Sequence, residues 1–159
     1  MIFVTVGTHP ESFERLIRHI DEIALQVKEK IIIQRGFTTY VPVNCESFEF
    51  ADSLEPYFKK AKLVISQSAT SLLEFVLFNK KPLITVPRQK KYHEHLNDHQ
   101  VEFAVFLEKK TGIKAILDIR DLTPELLNTY KKIAVIKKQN LHKLQEYFKK
   151  TFDDIAKTR

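Results

Sequence analysis

The sequence predicts an α/β fold, a single domain built on a Rossmann-like, doubly wound parallel sheet. Short apolar runs alternate along the chain with longer segments of helical periodicity, an order typical of strands joined by helical crossovers. The runs are apolar at nearly every position, as strands buried on both faces require. The length of 159 residues suits one domain with its own core.

Five apolar, β-branched runs are predicted to be strands. The first ends at Gly7 and the second is stopped by Gly36. In chain order they are residues 2–6, 30–34, 63–66, 83–86 and 115–117, with shorter extended pieces at Val41, Val43 and residues 48–50.

The segments between these runs carry apolar residues at helical spacing. We expect helices at residues 11–28, 53–60, 71–78, 94–109 and 124–157, the last in one or two pieces. The domain then has a core over about residues 1–120 and C-terminal helices over about 124–157.

Composition narrows the class of protein. Hydrophobic residues make up 43% and charged residues 29% of the chain, as in soluble globular proteins, and no apolar run approaches the ~20 residues of a membrane span. Residues 1–8 fit a strand and a turn, not a signal peptide. Cys45 is the one cysteine and forms no internal disulfide, which fits a reducing compartment. We therefore expect a cytoplasmic protein.

The excess positive charge lies at the C-terminal end. Nine lysines and arginines and three acidic residues fall within residues 131–159, so this stretch carries the whole net charge of +6. It is either a solvated helix face or an attachment to an anionic membrane surface or acidic partner. A nucleic-acid-binding module is a weaker third interpretation. Because the body shows no basic stripe with interleaved aromatics, we expect no nucleic acid partner.

Polar residues and small residues follow each predicted strand. In doubly wound sheets, ligands bind beyond the carboxyl ends of the strands. Gly7 permits a tight turn there, and free N–H groups at the next helix start suit a phosphate. The loop 66–71 offers four hydroxyls for a diphosphate, whereas Ser71 and Glu74 also have the spacing of a helix capping box.

Residues 88–100 are the most unusual stretch, with three histidines, two acids and three amides after a buried strand. On the predicted helix, His95 and His99 share one face, as do Glu94 and Asp98. A metal site there is disfavoured because no third ligand is evident. Paired donors and acceptors suit sugar hydroxyls better.

Three motifs occur together and in order: residues 4–9 (VTVGTH), 34–40 (QRGFTTY) and 86–100 (VPRQKKYHEHLNDHQ). Together they resemble the small donor-binding subunits of bipartite glycosyltransferases. Those subunits include the soluble subunit of the UDP-N-acetylglucosamine transferase of N-glycan-precursor synthesis and bacterial exopolysaccharide and capsule enzymes. The domain is similar to the C-terminal half of MurG-like enzymes, which have the GT-B fold.

The resemblance implies a role for each matching position. Phe50 and Ala51 match the segment that recognises uracil, and Glu74 matches the acid that binds the ribose. Residues 67–71 match the diphosphate loop, but here that loop has no glycine. Thr8 and His9 face the cleft where the acceptor half docks. The full set implied for the donor is Gly7, Gln34, Gly36, Phe50, Ala51, Gln67, Ser68, Thr70, Ser71, Glu74, Arg88, Glu94, His95, Asn97 and Asp98.

The resemblance also implies a reaction. A UDP-sugar is the donor, a lipid-linked glycan precursor is the acceptor, and the sugar is transferred with inversion and without a metal or other cofactor. The general base is expected on a membrane-anchored partner subunit, which holds this chain at the inner face of the membrane. Because the diphosphate loop lacks glycine, a non-catalytic scaffold or regulatory subunit is the alternative.

Overall fold

The computed structural model describes residues 1–68, 81–133 and 146. Its centre is one six-stranded sheet in the order β3-β2-β1-β4-β5-β6, with every neighbouring pair parallel. The strands are β1 Ile2–Thr5, β2 Ile31–Gln34, β3 Glu46–Phe48, β4 Leu63–Ser66, β5 Leu83–Thr85 and β6 Lys114–Ala115. The predicted doubly wound parallel sheet is confirmed.

Four α-helices are described beside the sheet. They are α1 Glu14–Ile23, α2 Glu55–Lys60, α3 His99–Thr111 and α4 Pro124–Thr129, with short 3₁₀ turns at Ala24–Gln26, Lys90–Tyr92 and Ile119–Asp121. None of the helices in the described part of the chain is long and apolar enough to cross a membrane.

Two apolar clusters cover the two faces of the sheet, as the alternation of side chains along each strand dictates. On one face, Val4 of β1 packs in a cluster with Leu16 and Ile20 of α1. On the other, Phe3 packs in a cluster with Phe58 of α2 and Leu107 of α3. This is why the strands are apolar at consecutive positions.

The strand order reverses between β1 and β4. β2 and β3 lie on one side of this point and β5 and β6 on the other. The register aligns Thr5 with Gln34 on one neighbour and with Ser66 on the other. The loops leaving β1 and β4 therefore begin side by side, at the switch point where open α/β sheets bind ligands.

The predicted helix over residues 94–109 was wrong at its beginning. Residues 94–98 form turns, and α3 begins at His99. Polar side chains hold these turns: Asp98 Oδ1 accepts from the Lys90 amide at 2.9 Å, and Asn97 Oδ1 accepts from the His99 amide at 3.2 Å. The expected helical i, i+4 pairing of His95 with His99, and of Glu94 with Asp98, is therefore absent.

The prediction of helix throughout 124–157 was correct at its first residue, Pro124, but wrong from residue 130 to residue 133. α4 ends at Thr129, and Tyr130 takes an extended conformation. Ile133 then forms an antiparallel bridge with Pro82, so sheet pairing competes with helix continuation here. Residues 134–145 and 147–157 of this prediction lie outside the described residues, as does the helix predicted at 71–78.

Smaller differences affect the first helix and the third strand. α1 covers ten residues, not the eighteen expected. Before it, the Phe13 amide donates to Thr38 Oγ1 at 3.0 Å, and after it the chain tightens into the 3₁₀ turn Ala24–Gln26. Residues 41–43 form no strand. Instead the buried Asp21 accepts from the Val43 and Asn44 amides at 3.0 and 2.7 Å, which pins this segment to α1.

Candidate functional site

Gly7 lies at the switch point and is required there for two reasons. Its φ of +70° is in the left-handed region, which favours glycine. A Cβ at this position would overlap the side-chain amide nitrogen of Gln67, which follows β4. The loops after β1 and β4 therefore meet at a point where a Cβ would have to displace the side chain of Gln67.

Gln34, at the end of β2, holds the loop after β1 from the side opposite to β4. Its Oε1 accepts from Thr5 Oγ1 at 2.6 Å and from the Gly7 amide at 3.1 Å. Its Nε2 donates to the carbonyls of Gly7 and Glu49, at 3.0 and 2.9 Å. The amide is buried and fully occupied within the protein. Gln34, expected from the resemblance to bind the donor, thus supports the loops after β1 and β3.

Gly36 permits close packing of the loops after β1 and β2. Its φ is +54°, and a Cβ there would lie 2.7 Å from the Gly7 carbonyl oxygen. Its own amide donates to the Glu49 carbonyl at 3.2 Å. The two glycines and Gln34 thus form one connected backbone framework at the carboxyl edge of β1, β2 and β3.

Arg88 is the centre of a second hydrogen-bond network, and its side chain is completely buried. Its Nε donates to Gln67 Oε1 at 2.6 Å. Its Nη atoms donate to backbone carbonyls of the neighbouring loops, those of Val6, Glu11, Ser12 and Glu94, at 2.7–3.3 Å. Its guanidinium also lies 4.7 Å from the ring centroid of Phe13. Burial lowers the pKa of Arg88 to about 10, so the group remains a cation at neutral pH.

Glu94 is bound by Arg15 of α1, a residue that the sequence analysis did not single out. The Arg15 guanidinium donates to both carboxylate oxygens at 2.9 Å, and Glu94 Oε2 also accepts from the Gln89 amide at 3.0 Å. Both side chains of the pair are largely buried, with 13% and 5% of their surface exposed. Glu94 therefore anchors its segment to α1. The sequence signal for Arg15 was its position in the first turn of a helix that follows the Gly7 loop.

Two histidines meet at the carboxyl edge of the sheet, one from the loop after β1 and one from the segment after β5. The rings of His9 and His95 are 4.8 Å apart between centroids, so these expected site residues do come together. Burial lowers the pKa of both rings, and the positive charge of Arg88 lowers both further. Thr8 beside them is exposed, so this part of the edge offers hydroxyl and imidazole groups to a ligand or partner.

The loop after β4 is described only in its first part. Ser68 Oγ and Thr85 Oγ1 lie 2.7 Å apart in a hydrogen bond, and Ser68 is buried. Thr70, Ser71 and Glu74 lie outside the described residues. The two interpretations of this loop, as a diphosphate loop or as a helix capping box, therefore both stay predictions.

Phe50 and Ala51 follow β3, two strands away from β1. Ala51 is exposed, and the half-exposed ring of Phe50 packs against Phe37 with 4.9 Å between centroids. Asn97 and Asp98 hold the turn before α3 through the hydrogen bonds given above, and Asp98 remains exposed. The expected base segment and sugar segment therefore lie on opposite sides of the switch point.

Within residues 1–68, 81–133 and 146, no three side chains of His, Cys, Asp or Glu converge in a way that would hold a metal ion. The described part of the site instead contains backbone amides, hydroxyls and the buried guanidinium of Arg88.

Comparison with known proteins identifies related chains. The family described as Glycosyltransferase family 28 C-terminal domain matches residues 1–158. The UDP-N-acetylglucosamine transferase subunit ALG13 of Homo sapiens is 34% identical over 69% of this chain, and that of Mus musculus is 34% identical over 68%. The chain spans 10% of the length of each of these relatives.

Solved structures share the fold. MurG of Acinetobacter baumannii has a TM-score of 0.53 with 21% identity, covering 79% of this chain and 38% of that one. The spinosyn forosaminyltransferase SpnP has a TM-score of 0.56 with 15% identity, covering 80% of this chain and 35% of that one. The Rossmann-like domain is thus one found in glycosyltransferases of the GT-B type.

Proposed function

Because the chain belongs to the family of glycosyltransferase family 28 C-terminal domains, we propose that it is the donor-binding subunit of a two-subunit, inverting glycosyltransferase that uses a UDP-sugar. The observation that carries the proposal is the family match over residues 1–158. The curated relatives named as subunits of a UDP-N-acetylglucosamine transferase support both the donor and the subunit role.

The geometry of the switch point supports donor binding. The loops leaving β1 and β4 meet at Gly7, where the side chain of Gln67 takes the space of a Cβ. Both loops lie at the switch point, where open α/β sheets bind ligands. Arg88 provides a positive charge beneath these loops. A nucleoside diphosphate combines an anion that suits this charge with a base that reaches the segment at Phe50.

The reaction we propose is attack by an acceptor hydroxyl on the anomeric carbon of the sugar as UDP departs. The acceptor is lipid-linked, and a membrane-anchored partner supplies the general base. Polar groups of this chain stabilise the leaving diphosphate without a metal. The complex acts in polysaccharide or glycan synthesis at the cytoplasmic face of the membrane, and residues 131–159 contribute positive charge toward an anionic surface.

The backbone amides of the glycines can report UDP binding in an NMR titration. It has three glycines, of which Gly7 and Gly36 lie at the carboxyl edge of the sheet, whereas Gly112 precedes β6 at the opposite edge. In a titration of the ¹⁵N-labelled chain with UDP, we expect the amide signals of Gly7 and Gly36 to shift and that of Gly112 to stay. ADP, which has the same diphosphate and another base, is the matched ligand control. A well-folded spectrum with no shift at about millimolar UDP would contradict the proposal.

A second function is favoured by one observation, the absence of glycine from residues 67–71. In that case the chain is a non-catalytic scaffold that binds its partner but not the donor. The two functions differ in the same titration, because a scaffold leaves Gly7 and Gly36 unshifted by UDP. Restoring glycine at Ala69 and Thr70 would then create UDP binding that the natural chain lacks.

A further inference from the structure

Arg88 does more in this fold than its expected place in a donor-binding set implies. It is a charged side chain with no exposed surface, and moving a cation out of water costs several kcal/mol. Among the described residues, its hydrogen-bond acceptors are one side-chain amide and four backbone carbonyls, and none is a carboxylate. Since the carboxylate of Glu94 is bound by Arg15, no described carboxylate forms an ion pair with Arg88, and those of Glu94 and Glu11 act on its charge only from a distance.

The acceptors of Arg88 belong to three different loops. Val6, Glu11 and Ser12 follow β1, Gln67 follows β4, and Glu94 follows β5. The backbone amide of Arg88 donates to Gln100 Oε1 of α3 at 3.0 Å, which ties the residue to a further element. One guanidinium therefore sets the spacing of the loops on both sides of the switch point.

The planar fork of arginine is needed for this arrangement. Its N–H groups point in several fixed directions within one plane, and its face stacks on Phe13. A lysine ammonium is a compact point charge that reaches fewer of these acceptors at once. Retaining the charge without the fork would therefore leave some loop carbonyls unsatisfied.

We propose that Arg88 is a positioning residue for the donor diphosphate: it holds the loops after β1, β4 and β5 at the spacing that receives the ligand, without contacting the ligand itself. This inference rests on the proposed function. Arg88 also holds Gln67, whose side-chain amide lies where a Cβ of Gly7 would be. The segment expected to recognise the base lies beyond β2 and β3, where Gln34 and not Arg88 provides the support.

If Arg88 positions only the diphosphate site, substitutions of Arg88 should change the affinity for UDP but not the affinity for uridine. Arg88→Gln should weaken binding of UDP by about tenfold or more, as loss of charge-assisted hydrogen bonds implies. Binding of uridine, which lacks the diphosphate, should change by less than about twofold. Arg88→Lys should behave as Arg88→Gln does, since the charge alone does not fix the loops. Arg120→Gln, at an exposed arginine paired with Asp118, removes the same charge and should alter neither affinity.

Each outcome of these titrations with the full chain decides a different point. If the natural chain binds UDP and Arg88→Gln binds it equally well, the inference fails while the proposed function stands. If Arg88→Gln loses UDP and uridine to the same extent, or if Arg88→Lys restores UDP binding, positioning by the fork is refuted. If the natural chain binds neither ligand, the proposed function fails, and the inference with it.

A measurement on the natural chain covers the case in which substitutions at this buried site prevent folding. The Nε–H of Arg88, hydrogen-bonded to Gln67, should exchange slowly with water and give its own ¹⁵N signal. We expect UDP to shift this signal and uridine to leave it in place. An Arg88 Nε–H signal that is indifferent to UDP while Gly7 responds would overturn the proposal.

Discussion

Gly7→Ala tests the contact between the loops after β1 and β4 most directly. The substitution places a methyl group where φ is +70°, and left-handed backbone costs a residue with a Cβ about 1–2 kcal/mol. The new methyl also overlaps the amide nitrogen of Gln67. Because Arg88 holds that amide at 2.6 Å, Gln67 cannot move without losing a charge-assisted hydrogen bond worth about 1.5–3 kcal/mol.

Gly112→Ala is the matched control for this prediction. Gly112 has nearly the same φ, +75°, but its added Cβ would meet only the flexible end of Lys132 at 3.0 Å. The control therefore carries the backbone strain without the broken hydrogen bond. We expect the free energy of unfolding to fall by about 3–5 kcal/mol in Gly7→Ala and by about 1–2 kcal/mol in Gly112→Ala.

Urea unfolding followed by far-ultraviolet circular dichroism measures both losses on the same scale. The difference between the two variants is the informative quantity, because it isolates the Gln67 contact from the backbone term. Equal losses would refute the reasoning, since they would mean that Gln67 moves away without cost and that Arg88 does not hold it.

Three further predictions concern ionisable side chains of α1 and of the loops at the carboxyl edge of the sheet. Glu94→Gln should lower the free energy of unfolding by about 3 kcal/mol in urea titrations, because it leaves the largely buried Arg15 without its carboxylate partner; a loss below 1 kcal/mol, as ~0.2–1 is typical of exposed pairs, would argue against it. The pKa values of His9 and His95 are lowered in the folded state, so the unfolded chain takes up protons first as the pH falls. Their contribution to stability is therefore present above about pH 6.5 and should be lost below it. In a plot of the free energy of unfolding against pH, a variant with both histidines changed to glutamine should flatten this region, and an unchanged plot would exclude these rings as its source. Asp21→Asn should weaken the tie between α1 and the segment before β3 and release that segment to faster amide hydrogen exchange, whereas unchanged exchange would show that the carboxylate is not what holds it.

The sequence was sufficient to predict the parallel sheet. Strands such as Leu63–Ser66 are apolar at consecutive positions, and this pattern is typical of strands covered on both faces. The strand boundaries therefore agreed with the structure to within a residue or two, and Gly7 and Gly36 were correctly placed in turns at the carboxyl edge. These features depend on local composition, which a single sequence displays.

Tertiary contacts decided the features that periodicity does not encode. Residues 94–98 were predicted to be helical, but the ion pair of Glu94 with Arg15 and the hydrogen bond of Asp98 with Lys90 favour turns. The partners of Gln34 and Arg88 come from segments distant in sequence, so their burial was not visible in the motifs that contain them. The sequence by itself determined which edge of the sheet carries the polar residues, because each loop composition follows its own strand. Only the tertiary structure decided which of those residues are buried and hold the loops and which stay exposed, because hydrogen-bond partners are chosen by proximity in space.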